Sequence, residues 1–513
     1  MTEALVRNME TCRPDIAVNR SNGQSKRGIK YAGSGEQARE AQAADLLERE
    51  YRSRTKGTSV PYERRSLVTR AEQRGCIAQC CSQVNPKGDE LLDKTKPFDI
   101  SKKVVYEAYL RVKANQGAAG VDEQSVEDFE ENLKRNLYKI WNRMSSGTYF
   151  PPPVRCVEIP KNDGKGGIRK LGVPTVSDRI AQTVVKLYLE PEVEPLFHSD
   201  SYGYRPNKSA LDAVAKARER CWRNDWVLEL DIVAFFDRLD HKLVIEAVKK
   251  HTSCKWILLY IERWLKAPLQ IKDGTLVERK CGSPQGSVIS PLISNIFMHH
   301  AFDMWMQNNV RNIPFERYAD DGIAHCRSEK QAKYLRDLIE KRLAQYGLEL
   351  HPDKTRIVYC KDVDRSGSYE HEKFDFLGFQ FRPRLSMNKH GKHFVNFSPA
   401  MSEKAKKEIN REIRSWNIHL RADKSIGDLA LMFNKVVQGW INYYGRFYKS
   451  RLYPTLKNIN HDLVIWARRK YKRMRSGSRR AKNWIARIAQ REPSLFAHWK
   501  FGVKPDGWAM GAG

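Results

Sequence analysis

Hydrophobic periodicity is almost absent from the first 93 residues and strong after them. The opening stretch is polar, with loops such as Ser21-Asn22-Gly23-Gln24-Ser25 and one helical pattern from Gln37 to Tyr51, and residues 1–93 read as a poorly ordered extension. From Ser101, which can cap a helix, Val104, Val105, Ala108, Tyr109 and Val112 recur at helical spacing, and helical character runs to Ser145 with a break at Gly117-Ala118-Ala119-Gly120. After Pro151-Pro152-Pro153 the pattern becomes that of strands. Val154 to Ile159 and Ile168 to Val173 flank the turn Asp163-Gly164-Lys165-Gly166-Gly167, whose Lys165 is as readily a solvated charge as a functional one.

Further on, Ile180, Val184, Val185 and Leu187 predict an amphipathic helix between Asp178 and Tyr188, and a strand follows at 226–236. Ser290-Pro291 opens a helix bearing Leu292, Ile293, Ile296 and Phe297, and Phe315 to Cys326 reads as a hairpin. Ser328 opens a helix with Leu335, Leu338, Ile339 and Leu343, ended by Gly347 before a short strand at Leu348 to Leu350. The order strand, helix, hairpin, helix, strand predicts an α+β, ferredoxin-like unit with helices on one face. Past Ser398 the pattern is helical, at Glu403 to Trp416 and Ile426 to Tyr444.

Carboxylates interrupt two of these strands. Asp320 and Asp321 lie at the hairpin tip before Gly322, and Asp231 lies within Trp226–Asp237. Neighbours on a strand point to opposite faces, so two adjacent aspartates can share a cation only where the chain turns. Ionised side chains at such sites repel one another and are costly without a partner. Together the three make an oxygen-ligand site suited to Mg²⁺, and two such ions about 3.5–4 Å apart can stabilise the attacking and leaving oxygens of a phosphoryl transfer.

Tyr318-Ala319-Asp320-Asp321 resembles the reverse transcriptase signature, with Asp231 where that family has its first catalytic aspartate. Gly282-Ser283-Pro284-Gln285-Gly286 followed by Ser290-Pro291-Leu292 resembles the segment shaping the nucleotide pocket, Ile168-Arg169-Lys170-Leu171 the fingers strand, and Phe376-Leu377-Gly378-Phe379 the motif closing the palm. Gly203-Tyr204-Arg205-Pro206, Asp178-Arg179-Ile180 and Gln438-Gly439-Trp440-Ile441-Asn442-Tyr443-Tyr444 are similar to bacterial group II intron maturases. The resemblance runs from about Pro97 to the C-terminus. It implies a right-hand polymerase with fingers at 94–224, part of which returns at 240–282, a palm at 225–395, a helical thumb or maturase domain at 396–455 and a basic DNA-binding region at 456–513. No His-Asn-His nuclease motif is visible in that last region.

By motif position, Asp231, Asp320 and Asp321 with Ile232 would hold two Mg²⁺ or Mn²⁺ ions. Arg169 would meet the triphosphate, Phe236 the ribose, and Gln285 and Ile232 the rest of the nucleotide, while Lys354 would give a proton to the leaving pyrophosphate. Taken alone, Phe236 is equally a core aromatic and Lys354 a surface lysine. The implied partners are group II intron RNA, an RNA template with a DNA primer, target DNA and dNTPs.

Charge agrees with polyanionic partners, since 91 basic against 61 acidic residues leave +30. Nine of the fifteen residues from 468 to 482 are basic and none is acidic: Arg468, Arg469, Lys470, Lys472, Arg473, Arg475, Arg479, Arg480 and Lys482. Upstream, Trp440, Tyr443, Tyr444, Phe447 and Tyr448 alternate with Arg446, Lys449 and Arg451, offering stacking faces beside cations or an ordinary packed helix. No apolar run approaches the ~18 residues of a membrane helix and Met1 to Arg7 begins no signal or transit peptide, so the expected setting is the bacterial cytoplasm, beside the nucleoid. The ten cysteines include no Cys-x-x-Cys pair and read as reduced thiols, with Cys76, Cys80 and Cys81 incidental.

The resulting expectation is an RNA-directed DNA polymerase that also binds its intron RNA, assists splicing and supports retrohoming. One alternative, a free-standing reverse transcriptase of a retron, defence or diversity-generating system, is opposed by the long thumb and basic tail. The other, a splicing-only RNA-binding maturase, is opposed by the intact aspartate set.

Overall fold

A computed structural model describes residues 96–160, 167–387 and 390–505, all in one unit of the chain. The helix expected at Gln37–Tyr51, the cysteines at 12, 76, 80 and 81, and the hairpin tip with Lys165 lie outside the described residues. Ser101 caps α1 (Lys102–Asn115), its Oγ accepting from Lys103 N at 3.2 Å, and Val105, Ala108, Tyr109 and Val112 are buried as their spacing predicts. Two further helices, α2 (Val126–Glu131) and α3 (Leu133–Ser145), precede the antiparallel pair β1 (Val154–Pro160) and β2 (Ile168–Val173). Next come α4 (Val176–Val193), longer than its pattern predicts, and α5 (Ala210–Cys221).

The palm opens with β3 (Trp226–Leu230), the helical turn α6 (Phe235–Arg238), α7 (His241–Lys249) and α8 (Lys255–Lys266). Short strands β4 (Leu269–Gln270) and β5 (Leu276–Val277) then return to β1, giving the order β2-β1-β4-β5. After α9 (Ser290–Met298), a π-helical turn at His299–Asp303 and α10 (Met304–Asn309) come β6 (Phe315–Tyr318), β7 (Asp321–Cys326), α11 (Glu329–Ala344) and β8 (Arg356–Tyr359). The palm sheet is antiparallel with order β6-β7-β3-β8, the ferredoxin-like arrangement. Leu348 to Leu350 form no strand beyond a single bridge from Leu350 to Ile232.

Strand alternation divides the core in two. Trp226, Leu228 and Leu230 of β3 and Ala324 and Cys326 of β7 join the cluster beneath α9 and α11. Val227, Ile323 and Val358 point the other way, where α5 supplies Ala213, Val214 and Ala217. α5 was expected in the fingers, but it covers the second face of the palm. The face that carries Val227 therefore also carries Glu229 and, continued by two residues, Asp231.

A third sheet joins β9 (Phe374–Phe376), β10 (Phe379–Met387) and β11 (His393–Met401), so the hairpin β10–β11 straddles the palm boundary expected at 395. The helices α12 (Glu403–Ser415), α13 (Ile426–Tyr444), α14 (Tyr453–Lys470), α15 (Ser478–Arg491) and α16 (Ala497–Lys500) follow. Helix α14 crosses the expected boundary at 455. Leu456, Leu463 and Trp466 of α14 and Ala481 and Ile485 of α15 share one core with Trp416, Leu429 and Phe433 of the thumb, so the basic region is the outer surface of the same helical body.

Four of the aromatics expected as stacking faces, Trp440, Tyr443, Tyr444 and Phe447, pack into the core. The Trp416 ring stacks on Phe433 at 4.4 Å and on Trp440 at 5.4 Å, and Trp440 and Tyr444 are buried. Half-buried Tyr443 packs on Phe379 and donates its hydroxyl to Leu377 O at 2.7 Å. Packing on Trp416 and Phe379 takes these rings out of reach of a ligand, whereas Arg446 stays exposed. Trp440→Ala should thus cost about 3–5 kcal/mol of stability in urea denaturation. A loss below about 1 kcal/mol would put the ring outside the core.

Candidate active site

The hairpin tip is held in an unfavourable backbone state. Tyr318 pairs with Asp321 across a two-residue turn of Ala319 and Asp320, and Ala319 has φ +58°. A side chain in the left-handed region costs about 1–2 kcal/mol. Arg317 offsets that cost: buried, it uses all five N–H donors. Two reach Asp303 at 2.7 and 2.6 Å, one Asn295 Oδ1 at 3.1 Å, one Ser201 Oγ at 2.8 Å and one Ala319 O at 2.9 Å. On the other side Gly203 presses against the turn, where a Cβ would lie 2.4 Å from Ala319 N, and Asn295 Nδ2 donates to Gly203 O at 2.7 Å. Arg205 ties the same loop down through Glu194, His198 O and Ser201 O. The Gly203–Pro206 motif is thereby a buttress of the tip.

Asp231 follows β3 directly. Leu230 pairs with Gly322, so the register continued by one residue sets Asp231 opposite Asp321. Its carboxylate pairs with Lys354 Nζ at 3.0 Å. Burial raises Asp320 above its ordinary 3.8, with Asp231 adding to the shift and Arg169 opposing it. Asp321 is raised further, by burial first and then by Asp320 and Asp231. The carboxylates thus sense one another without forming a closed cage, since among the described residues no group of three or more His, Cys, Asp or Glu is arranged to hold a metal. Hard oxygen donors that repel one another in a buried site fit a divalent cation which keeps waters and takes further ligands from phosphates.

Ile232 is buried and bridges Leu350. On either side of it, Asp231 O accepts from His351 N at 2.8 Å and Val233 N donates to Glu349 O at 2.9 Å. The strand expected to reach 236 ends at Leu230, because Ala234 (φ +46°) reverses the chain into α6. Phe235 goes into the core, while half-buried Phe236 accepts Ser283 N on its carbonyl at 2.7 Å. That bond joins it to the glycine-rich segment. Across the segment Gln285 Oε1 accepts Arg169 Nε at 2.6 Å and Gln285 O accepts Gly172 N at 2.7 Å. Gly286 (φ +112°) lies so close to Gly172 O that a Cβ would stand 2.6 Å from it. Arg169, Phe236 and Gln285 therefore flank one clamped loop.

The roles of several supporting residues were not legible in the sequence, including that of Tyr204 within its motif. Tyr204, its phenol pushed up to about 12 by burial and then by Asp320, lies within electrostatic reach of the tip. Glu229, two residues before Asp231 on the same face, pairs with Arg356 at 2.8 Å and is raised to about 7 by burial. Asp303 lacks any motif, and only its place on the π-helical turn brings it to Arg317.

On the helical body, the basic run forms the corner between α14 and α15. Lys472, Arg473, Arg475, Arg479, Arg480 and Lys482 are exposed there. Lys470 is instead spent on Ala422 O and Lys424 O at 2.8 and 2.7 Å, a tie within the fold rather than a nucleic-acid contact. Arg468 and Arg469 also reach carbonyls, of Arg475 and His419, at 3.3 and 3.4 Å.

Acidic side chains at the end of a ferredoxin-like sheet, beside a basic residue and a clamped glycine-rich loop, are the working parts of a palm polymerase. Residues 159–381 match the family described as reverse transcriptase (RNA-dependent DNA polymerase), and residues 406–484 match the maturase-specific domain of group II introns. The chain belongs to the reverse transcriptases encoded by group II introns. It is 31% identical to Protein YkfC of Escherichia coli K12 over 280 residues, 47% of this chain and 73% of that one. With the group II intron-encoded protein LtrA of Lactococcus lactis it shares 29% over 237 residues, which span 46% of this chain and 38% of LtrA. Among solved structures it is similar to a telomerase of Candida albicans complexed with a fragment of telomeric RNA, at 14% identity over 74% of this chain and 68% of that one, with TM-score 0.39.

The raised carboxylates make a stability prediction. A carboxylate raised by burial weakens the fold when ionised, above its folded value, and that penalty disappears as pH falls below the unfolded value near 3.8. Asp321→Asn should therefore unfold at a higher temperature than the parent at pH 7.5 without added metal, with the difference gone near pH 3.5. A lower midpoint at pH 7.5 would contradict the burial of this charge.

Proposed function

We propose that this protein extends a DNA primer on an RNA template and, through its helical body, clamps the intron RNA from which it is encoded. The reading rests chiefly on one observation, the register that sets Asp231 opposite Asp321 with Asp320 at the adjoining turn. In the reaction the primer 3′-hydroxyl attacks the α-phosphate of a dNTP, the O3′–P bond forms, the bond to the β-phosphate oxygen breaks, and pyrophosphate leaves. Asp231, Asp320 and Asp321, with the Ile232 carbonyl, would hold two divalent cations, Mg²⁺ or Mn²⁺, which when bound withdraw charge from the attacking and leaving oxygens.

The remaining work falls to the protein. Arg169, oriented by Gln285, offers a guanidinium to the triphosphate. Phe236 closes the ribose side of the pocket and excludes a 2′-hydroxyl by bulk. Lys354, an ammonium beside Asp231, is placed to protonate the departing pyrophosphate. Lys472, Arg473, Arg475, Arg479, Arg480 and Lys482 at the α14–α15 corner suit contact with RNA or target DNA phosphates. Such a surface supports splicing and retrohoming, with the bacterial nucleoid as the setting. The match at 406–484 favours this over a free-standing reverse transcriptase.

Because the carboxylates lie in the palm and the basic surface lies on the helical body, the two activities should separate. Asp320→Asn should lower primer extension by about 10³-fold or more while still promoting splicing of the cognate precursor RNA at moderate salt. Loss of splicing in a folded, RNA-bound Asp320→Asn protein would refute the division. Sugar choice is a separate test. Phe236→Ala should reduce discrimination against ribonucleotides by roughly tenfold or more in single-nucleotide incorporation, and unchanged selectivity would return Phe236 to a packing role.

A further inference from the structure

The first turns of α4 hold three polar side chains, Asp178, Arg179 and Gln182, all buried where a packed helix ordinarily presents apolar groups. Arg179 reaches Gln116 O and Ala118 O at 3.1 and 2.8 Å and holds the loop after α1. Gln182 faces the nucleotide pocket's loop. Its Oε1 accepts from Ser287 Oγ at 2.6 Å, Val288 N at 2.8 Å and Ile289 N at 3.3 Å, while its Nε2 donates to Asp178 Oδ2 at 2.9 Å. Asp178 Oδ1 in turn accepts from Trp264 Nε1 at 2.7 Å and Tyr149 OH at 2.9 Å.

This pattern allows one orientation of the amide. Three donors on one side demand its oxygen, and the carboxylate on the other demands its NH₂. Ser287–Ile289 continues directly from Gln285, which holds Arg169, so the relay ends at the triphosphate side of the pocket. We propose that Gln182 is a positioning residue for the incoming nucleotide, fixing the loop Gln285–Ile289, and that Asp178 sets the sense in which its amide points. The pocket claim rests on the polymerase reading, whereas the hydrogen-bond relay does not. Burial raises Asp178 to about 6 against three donors that lower it, so near neutral pH it is an acceptor-only carboxylate, as the relay requires.

The relay can be rebuilt with its chemistry exchanged. In Asp178→Asn/Gln182→Glu the new asparagine still accepts from Trp264 and Tyr149 and donates to the new glutamate, whose second oxygen accepts from Ser287, Val288 and Ile289. Gln182→Ala leaves those donors without an acceptor, and Gln182→Glu alone sets two carboxylates face to face. In the full-length protein, Gln182→Ala should raise the KM for dNTP roughly tenfold with kcat within about threefold, and the double exchange should return KM to within about twofold of the parent. Amide hydrogen exchange of the peptide containing Val288 and Ile289 should be faster in both single variants and restored in the double.

Each outcome decides something different. If the parent extends no primer, the polymerase reading fails while hydrogen exchange still tests the relay. Faster exchange with an unchanged KM would make the relay structural only and overturn the positioning role. If Gln182→Ala does not fold, the comparison of Gln182→Glu with the double exchange stands in its place, and a double variant no better than the single one overturns the proposal.

Discussion

The buried ion pair between Arg317 and Asp303 is the constraint on which the catalytic end of the palm depends. An unpaired charge in that position costs several kcal/mol, and the pair is tolerable only because every donor of the guanidinium is used. One of those bonds goes to Ala319 O, inside the turn that presents Asp320 and Asp321. The left-handed alanine, the missing side chain at Gly203 and the π-helical turn that delivers Asp303 are separate departures from regular geometry. They converge on one object, a rigid hairpin tip, and strain at a functional site persists where its surroundings over-determine it in this way.

At that tip the protein gathers like charges at some cost to itself. Burial and mutual repulsion raise Asp320 and Asp321, and Lys354 neutralises only Asp231. Such a concentration of buried like charge costs stability, which is the usual trade for function. The net charge of +30 works at another scale. It draws polyanions to the whole surface, whereas the acidic cluster discriminates by chemistry at one point.

The helical body shows how a basic surface and an apolar core share the same helices. α14 and α15 put Leu456, Leu463, Trp466 and Ile485 inside with the thumb, while Arg480 of α15 and Arg473 and Arg475 of the turn between the two helices stay outside. Trp466 donates its indole N–H to Arg421 O at 2.9 Å, and Lys470 holds the neighbouring carbonyls, so the corner that carries the charge is itself tied down. Mutually repelling arginines on a firm scaffold form a lasting electropositive patch.

By itself, the sequence determined what depends on local spacing. The capped helix at Lys102–Asn115, the strands at Val154 and Ile168, the helix Ile426–Tyr444 and the strand-helix-hairpin-helix part of the palm all follow from periodicity and caps, which act over a few residues, whereas the closing strand forms at Arg356–Tyr359 and not at Leu348–Leu350. The aspartates were visible because a carboxylate inside a strand is costly and so conspicuous. Tertiary structure decided what depends on encounters between distant segments. It ended β3 at Leu230 and turned Phe236 toward Ser283, buried Trp440 and Tyr444 instead of exposing them, laid α5 on the palm, and brought Asp303 to Arg317 and Gln182 to Ser287. An aromatic stripe at helical spacing looks the same whether its partner is a neighbouring helix or a nucleic acid, and a lone glutamine or aspartate carries no mark of its partner. Only the packed chain supplies the second half of each of those contacts.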